Sequence, residues 1–356
     1  MLSYFRWVLF FVALLVTVMA GGLYLGNVLL SESGPLDKTK TVVIPRGAGP
    51  ATMAKLLQDE GVIEHAKLFR VALLIDPSPK PIKAGEYEVP AHISMQSLVE
   101  LLQSGKVVQR RLTVPEGATT AEILELVRKT DALSGEITLD VKEGDLLPET
   151  YFYSREDTRD GLLSRMKEAM DKTLDQAWRS RAPGLPLVTR REALILASMI
   201  EKETVIASER AKVASVFINR LRRHMRLDSD PTVIYGLTGG KSPLNRELTR
   251  ADLQSNTPYN TYMFVGLPPG PICSPGRASI VAATNPARER LYFFVSDGQG
   301  GHVFSANMME HNRNVERWRQ IVRERGELPT PAPSPGAPIS PPSPLPPPPA
   351  SPAPSR

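Results

Sequence analysis

Val188–Tyr235 reads VTRREALILASMIEKETVIASERAKVASVFINRLRRHMRLDSDPTVIY, a buried helix ending in carboxylates, then a second amphipathic helix, then an Asp-rich turn. Thr189 and Glu192 have the T-x-x-E spacing of a capping box, which predicts a helix start at Arg190. Ala193, Leu194, Ile195, Leu196, Ala197, Met199 and Ile200 cover most of the helix circumference. A helix apolar on nearly all sides belongs inside a domain.

Helical phase separates the two carboxylates that close it. Glu203 follows Leu196, Met199 and Ile200 at spacings of seven, four and three and shares their face, whereas Glu201 looks back at Leu194, Ala197 and Ser198. Desolvation against an apolar face raises a carboxyl pKa and keeps the proton on near neutrality, the condition a general acid needs. On periodicity alone the commoner situation is a helix-end Glu paired with Lys202, Arg210 or Lys212 and without further role. Both readings stay open at this level.

Outward from this stretch, both ends of the chain stand apart. Trp7 to Leu30 carries no charge, long enough to span a bilayer with some tilt. Arg6 precedes this run while Glu32 and Asp37 follow it, which favours a cytoplasmic N-terminus (1–6), an anchor (7–30) and an exported bulk. Val18-Met19-Ala20 before Gly21 loosely fits a signal-peptide cleavage site, but the apolar run continues well past it, so an uncleaved anchor is expected. Residues 327–356 are Pro-rich among Ser, Ala and Gly, with too few apolar side chains for a core; an extended, disordered tail is expected.

Cys273 is the sole cysteine, which excludes an intrachain disulfide and a thiolate metal cluster. The five histidines lack H-x-x-x-H spacing, so no metal or cofactor is expected. A net charge of +5 suits an anionic surface such as membrane or cell-wall polymer and is too diffuse for nucleic acid.

Between the ends the pattern is α+β. After a linker (31–40), Thr41–Ile44 reads as a strand, 51–60 and 66–75 as helices stopped by Pro77-Ser78-Pro79, Glu86–Val89 as a strand, Ser94–Gln103 as a helix and Val107–Val114 as a strand. These make a small α+β module at 41–114. A helix capped by Thr119 or Thr120 follows, and LLPETYFY at 146–153 is open between loop and core. Helices are expected at 160–179, 208–224 and 305–325, the last ending at Gly326, with a strand at 291–296 and a return strand at 302–304. Asp230, preceding Pro231, is biased to extended geometry. Asn256–Gly276 is dense in turn formers, Tyr and Asn, the make-up of a groove wall as much as of a surface meander.

EKET (201–204), ASER (207–210), KVASVFINRL (212–221) and MRLDSDPTVIYG (225–236) resemble the YceG-like (MltG) family of membrane-anchored endolytic murein transglycosylases. So do PYNTY (258–262), GLPPGPI (266–272), SPG (274–276) and DGQGGHVFS (297–305). KAGEYEV followed by LLQSGKV resembles the family's LysM-like module, and LPETY (147–151) its aromatic segment. The resemblance runs from about Thr41 to Arg325 and implies a LysM-like module (41–114) followed by a larger mixed α+β catalytic domain (115–326). The Pro-rich tail departs from the usual pattern.

The resemblance implies a lytic transglycosylase. Such an enzyme cuts the β-1,4 bond between N-acetylmuramic acid and N-acetylglucosamine in nascent glycan strands without water, leaves a 1,6-anhydromuramyl end, and so limits strand elongation. It places the acid/base role on the second Glu of EKET, Glu203, with Thr204 positioned to orient its carboxyl and Glu201 as a supporting charge. Tyr259, Asn260 and Tyr262 are expected to touch sugar, since tyrosines stack on sugar faces and amides bond acetamido groups. Asp230 is expected to line the groove and cap the turn before Pro231. Were Asp228 or Asp230 to face Glu203 across a groove, a two-carboxylate hydrolase would be the alternative chemistry. Expected partners are peptidoglycan strands and membrane peptidoglycan synthases, and the expected location is the inner membrane, single-pass, with the bulk outside. The alternative from another class is a non-catalytic peptidoglycan-binding scaffold for wall-synthesis enzymes.

Overall fold

The computed structural model describes residues 2–76 and 80–325. The expected helix breaker Pro77-Ser78-Pro79, the helix end at Gly326 and the Pro-rich tail lie outside them. The chain is mixed α+β and divides into two units, Met1–Ser180 with Pro271–Ile280, and Arg181–Gly270 with Val281–Arg356.

The first unit opens with α1 (Leu2–Ser31). Its stretch Phe5–Ser31 is long and apolar enough to cross a membrane, and its apolar window is not covered by protein. β1 (Lys40–Ile44) then pairs antiparallel with β2 (Gly85–Val89), Val42 opposite Tyr87. α2 (Pro50–Asp59), α3 (Ala66–Ile75) and α4 (Met95–Ser104) pack on this ribbon. Alternation puts Val42, Ile44, Tyr87 and Val89 into a core with Leu57, Phe69, Leu98 and Leu102. The Tyr87 hydroxyl, buried with its ring, donates to the Leu102 carbonyl at 3.0 Å. α4 begins where Ser94 accepts from Ser97 N–H and stops at Gly105, whose φ of 66° needs no Cβ in the way.

A second core follows. β3 (Arg110–Thr113) pairs antiparallel with β4 (Thr150–Tyr153), so the LLPETYFY segment ends in a strand, and the strand expected over 107–114 is confined to its second half. α5 (Thr120–Lys129) is held by a complete capping box between Thr119 and Glu122. With α6 (Arg159–Arg179) it buries Ile123, Val127, Leu162, Leu163 and Met166. Residues 271–280 rejoin this unit, where Gly117 N–H donates to the Ser274 carbonyl at 3.0 Å and Ser274 N–H to the Ala118 carbonyl at 2.8 Å.

The second unit is built on α7 (Arg190–Glu203). The helix starts at the expected residue. Thr189 accepts from Glu192 N–H, but the Glu192 carboxylate takes the Val188 N–H at 2.7 Å in place of the reciprocal capping-box bond. Every side chain from Ala193 to Glu201 is buried. α8 (Arg210–Arg222) and α9 (Asp230–Thr238) pack against it. Short α10 (Arg250–Leu253) follows, and α11 (Arg277–Thr284) carries the chain from one unit back to the other. β5 (Phe293–Ser296) and β6 (His302–Ser305) form a hairpin, with Phe294 edge-on to Phe217 of α8, and α12 (Met308–Glu324) packs on the hairpin.

Asp230 corrects the expectation of extended geometry. The extended residue is Ser229 (φ −108°, ψ 114°); Asp230 opens α9, with Pro231 in the first turn, where its missing N–H costs nothing. Full burial of a Leu contributes about 1.5–3 kcal/mol. Leu196 is wholly buried mid-α7, so Leu196→Ala is expected to destabilise the second unit by about 2–5 kcal/mol. A lowered urea midpoint for the loss of its tertiary signal checks this.

Candidate functional site

The last turn of α7 brings Glu203 to the turn that precedes α9. Its carboxyl Oε1 accepts from the Ser229 hydroxyl at 2.5 Å. Ser229 is the N-cap residue of α9, yet its side chain makes no cap bond and is turned to Glu203. As a residue Glu203 is partly buried. Burial pushes its pKa from the ordinary 4.5 to about 7; Ser229 and the Arg220 charge pull it down, and the Asp230 charge pushes it up.

The turn holding Ser229 is fixed from two sides. Arg220 of α8 donates through one guanidinium nitrogen to the carbonyls of Arg226 and Leu227, at 3.2 and 3.0 Å, and to Asp228 Oδ2 at 3.0 Å. Asp228 itself sits at φ 50°, in the left-handed region that Asp tolerates better than most residues. On the other side, Ser229 N–H donates to the Thr261 hydroxyl at 3.0 Å, and the Thr232 hydroxyl donates to the Ser229 carbonyl at 2.6 Å. Thr232 and Thr261 are themselves 2.9 Å apart through their hydroxyls. Arg220, Ser229, Thr232 and Thr261 are buried, Asp228 is exposed, and Glu203 lies between the two.

The Tyr/Asn loop reaches the same place. The Tyr262 hydroxyl donates to Asp230 Oδ1 at 2.6 Å; burial first, then the neighbouring Asp230 charge, pushes that phenol well above its usual range. Tyr259 is half-buried, its ring 4.8 Å from that of Tyr235 on α9. Gly236 allows this approach, since a Cβ there would run into Thr257 and Tyr259. Met263 and Phe264 follow on the surface, each 46% exposed.

Four expected residues are placed differently from their expected roles. Asn260 is fully buried, its amide nitrogen donating to the carbonyls of Leu253 and Ser255 and its oxygen accepting Tyr262 N–H, so it shapes the loop and offers nothing to a sugar. Thr204, expected to orient Glu203, donates to Glu209 Oε2 at 3.1 Å and accepts Ile206 N–H. Glu201 is buried and bonded to Arg210 at 3.3 Å, on the side of α7 away from Ser229. Asp230 lines the site but does not cap the turn, because Ser229 holds the cap position.

Beside Thr204 lies a second polar cluster that sequence reasoning passed over. Glu209 accepts His302 N–H at 2.8 Å and meets the His302 ring Nδ1 at 2.8 Å. Burial pushes Glu209 up, but the hydrogen bonds from His302 and Thr204 outweigh it and leave the carboxyl below the usual range. Gly301 makes room, since a Cβ there would sit 2.8–2.9 Å from Asp297 and Glu209 oxygens. Also unforeseen were Ser229, Arg220, Thr232, Thr261 and Phe264. Ser229 had a signal: Ser-Asp-Pro is an N-cap followed by a first-turn proline. Among the described residues no cluster of three His, Cys, Asp or Glu side chains converges on a metal position.

One carboxyl with a raised pKa, a hydroxyl donor bonded to it and a Tyr/Asp pair beside it make a candidate acid/base site. A sequence profile of the YceG-like family matches residues 42–317, and the chain belongs to that family. An endolytic murein transglycosylase of Bacillus subtilis is 30% identical over 346 residues, covering 86% of this chain and 93% of that one. One of the same name from Streptococcus pneumoniae is 30% identical over 358 residues and 86% of this chain; the chain spans 64% of that relative's length. The crystal structure of a yceG-like protein from Listeria monocytogenes aligns at a TM-score of 0.47 and 29% identity, covering 78% of this chain and 99% of that one.

Glu203 makes stability depend on pH. Its folded pKa lies above the unfolded value, so between about 4.5 and about 7 the folded state holds more protons. Stability contributed by the protonated carboxyl is therefore full at low pH and lost as pH rises through that window. Glu203→Gln is expected to remove this slope and to be more stable than the parent at pH values above it, by on the order of 3 kcal/mol. Urea titrations of both proteins across the window check this.

Proposed function

We propose that this chain is an endolytic peptidoglycan lytic transglycosylase in which Glu203 is the single acid/base. The observation that carries the reading is the Glu203 carboxyl, pushed to about 7 by burial and held at Oε1 by Ser229. In that state it donates its proton to the glycosidic oxygen as the bond between N-acetylmuramic acid C1 and the N-acetylglucosamine oxygen breaks. The carboxylate so formed takes the proton of the muramyl C6 hydroxyl while that oxygen bonds to C1. The products are a 1,6-anhydro end and a free hydroxyl on the leaving strand, the carboxyl returns protonated, and no water is consumed.

Ser229 steadies the carboxylate midway, and a hydrogen bond to the charged form of the group is stronger than one to the neutral form. The two nearby aspartates support one carboxyl rather than two, because Asp228 is paired with Arg220 and Asp230 takes the Tyr262 hydroxyl. Asp230 and the rings of Tyr259, Tyr262 and Phe264 are proposed to contact sugar. Thr204 and Glu201 are proposed to support the end of α7 through Glu209 and Arg210. Glu203 in this setting speaks against the scaffold alternative, which has no use for a carboxyl kept protonated.

The layout is proposed as an anchor at 7–30, a LysM-like module at 41–114 and a catalytic domain at 115–326. Supporting it are two separate cores, one ending at Val107 and one beginning at Leu112. The anchor is read as single-pass in the cytoplasmic membrane, with the bulk outside, cutting nascent strands beside the synthases that extend them.

Mass spectrometry of peptidoglycan digested by the purified chain tests the reaction. Anhydromuramyl ends are expected, their formation declining with an alkaline limb near pH 7, and Glu203→Gln is expected to abolish them with the fold intact. Reducing-end products rule out transglycosylation, and activity kept in Glu203→Gln but lost in Glu201→Gln moves the acid/base assignment.

A further inference from the structure

α3 presents the wrong chemistry for a helix facing water. Phe69 and Ala72 point into the first core, but Val71, Leu74 and Ile75 on the outer side are 46, 83 and 51% exposed, at the C-terminal end of the helix. Lys67 and Arg70 are exposed one turn earlier. Spacings of three and four put Lys67, Arg70, Val71 and Leu74 on one stripe, cationic at one end and apolar at the other.

The position of that stripe relative to α1 says what it meets. Leu30 of α1 is buried in the first core, and Gly34 N–H donates to the Ile93 carbonyl at 3.1 Å, so the module is fixed to α1 without a free linker. A cavity of about 260 Å³ is lined by Asn27 and Leu30 of α1 together with Ala72 and Ile75 of α3. Another of about 200 Å³ brings Leu29 of α1 and Glu32 just past its end together with His65 and Leu68. α3 therefore crosses the last turns of α1, and its apolar end is the end beside Asn27. At 1.5 Å per residue, Asn27 lies about 4.5 Å further toward the apolar middle of α1 than Leu30.

We propose that this face of α3 is an interfacial membrane contact, with Val71, Leu74 and Ile75 resting in the headgroup–acyl boundary and Lys67 and Arg70 against anionic headgroups. An amphipathic face sinks about 5–10 Å into that boundary, which matches an apolar end placed deeper than a basic end. The contact fixes the height and tilt of the N-terminal module on the bilayer surface. It rests on the reading of α1 as an anchor, and the test separates the two.

The full chain is reconstituted in vesicles of phosphatidylethanolamine and phosphatidylglycerol, with an environment-sensitive fluorophore on Leu74→Cys. Cys273, the only native cysteine, is buried and leaves the label to the new site. Val16→Cys, mid-α1, reports the anchor, and Lys129→Cys, at an exposed position on α5, is the aqueous reference. Lipids spin-labelled near the headgroup are expected to quench the Leu74 probe strongly and Lys129 little, and lipids spin-labelled near the acyl-chain end to quench Val16. Adding Lys67→Glu and Arg70→Glu is expected to reduce that quenching. Val16 quenched with Leu74 at the Lys129 level overturns the contact while the anchor stands. Neither quenched overturns both. A Leu74 probe that is blue-shifted but unquenched overturns it in favour of a second copy of the chain as the cover.

Discussion

Glu203 is subject to two opposed influences, of which burial is the larger. Enclosure by α7 and the turn before α9 raises the cost of its charge, while the Ser229 hydroxyl and the Arg220 guanidinium lower it. A carboxyl under the first influence alone would hold its proton and never cycle; under the second alone it would be ionised throughout. Much of the second unit can be read as what keeps these two in register. α7 is buried along its length so that its last turn does not fray, Arg220 fixes three successive residues of the turn, and the Thr232–Thr261 pair holds the backbone of Ser229. The N-cap position of α9 gives up its cap bond so that the hydroxyl can serve the carboxyl. Loss of such a bond costs a helix about 1 kcal/mol, a small penalty that the proline in the first turn partly offsets by pre-setting the backbone.

Local order was largely legible in the chain. The start of α7 at Arg190, the Ser94 and Thr119 caps and the left-handed Gly105 follow from side chains acting on backbone within a few residues. Helical phase also separated Glu203 from Glu201, although total exposure taken alone would have ranked them the other way, since Glu201 is the more buried. Its burial is accompanied by Arg210, which arrives from α8 and has no fixed spacing to announce it.

What failed was the destination of polar side chains. Thr204 adjoins Glu203 in sequence, but a strand-like residue following a helix turns its side chain away from its predecessor's, and it met Glu209 instead. Asn260 has the groups that suit an acetamido ligand; the same groups suit a tight loop, and the loop's own carbonyls claimed them. Ser229 lies between two aspartates, and no local spacing links its hydroxyl to Glu203. In each case the deciding partner lies on another element, and only the fold brings it within reach.

The return of residues 271–280 to the first unit bears on how the chain is made. Gly117 and Ala118, just ahead of α5, exchange backbone hydrogen bonds with Ser274, and Gly276 sits so close to Glu116 that a larger residue would not fit. During synthesis from the N-terminus, the second core therefore emerges with this edge unsatisfied and waits while α7, α8, α9 and the Tyr/Asn loop are made. Closure of the first unit is a late, long-range event that depends on prior emergence of most of the second. A chain interrupted after Ser180 would carry both early cores and still lack the strand of backbone that seals one of them.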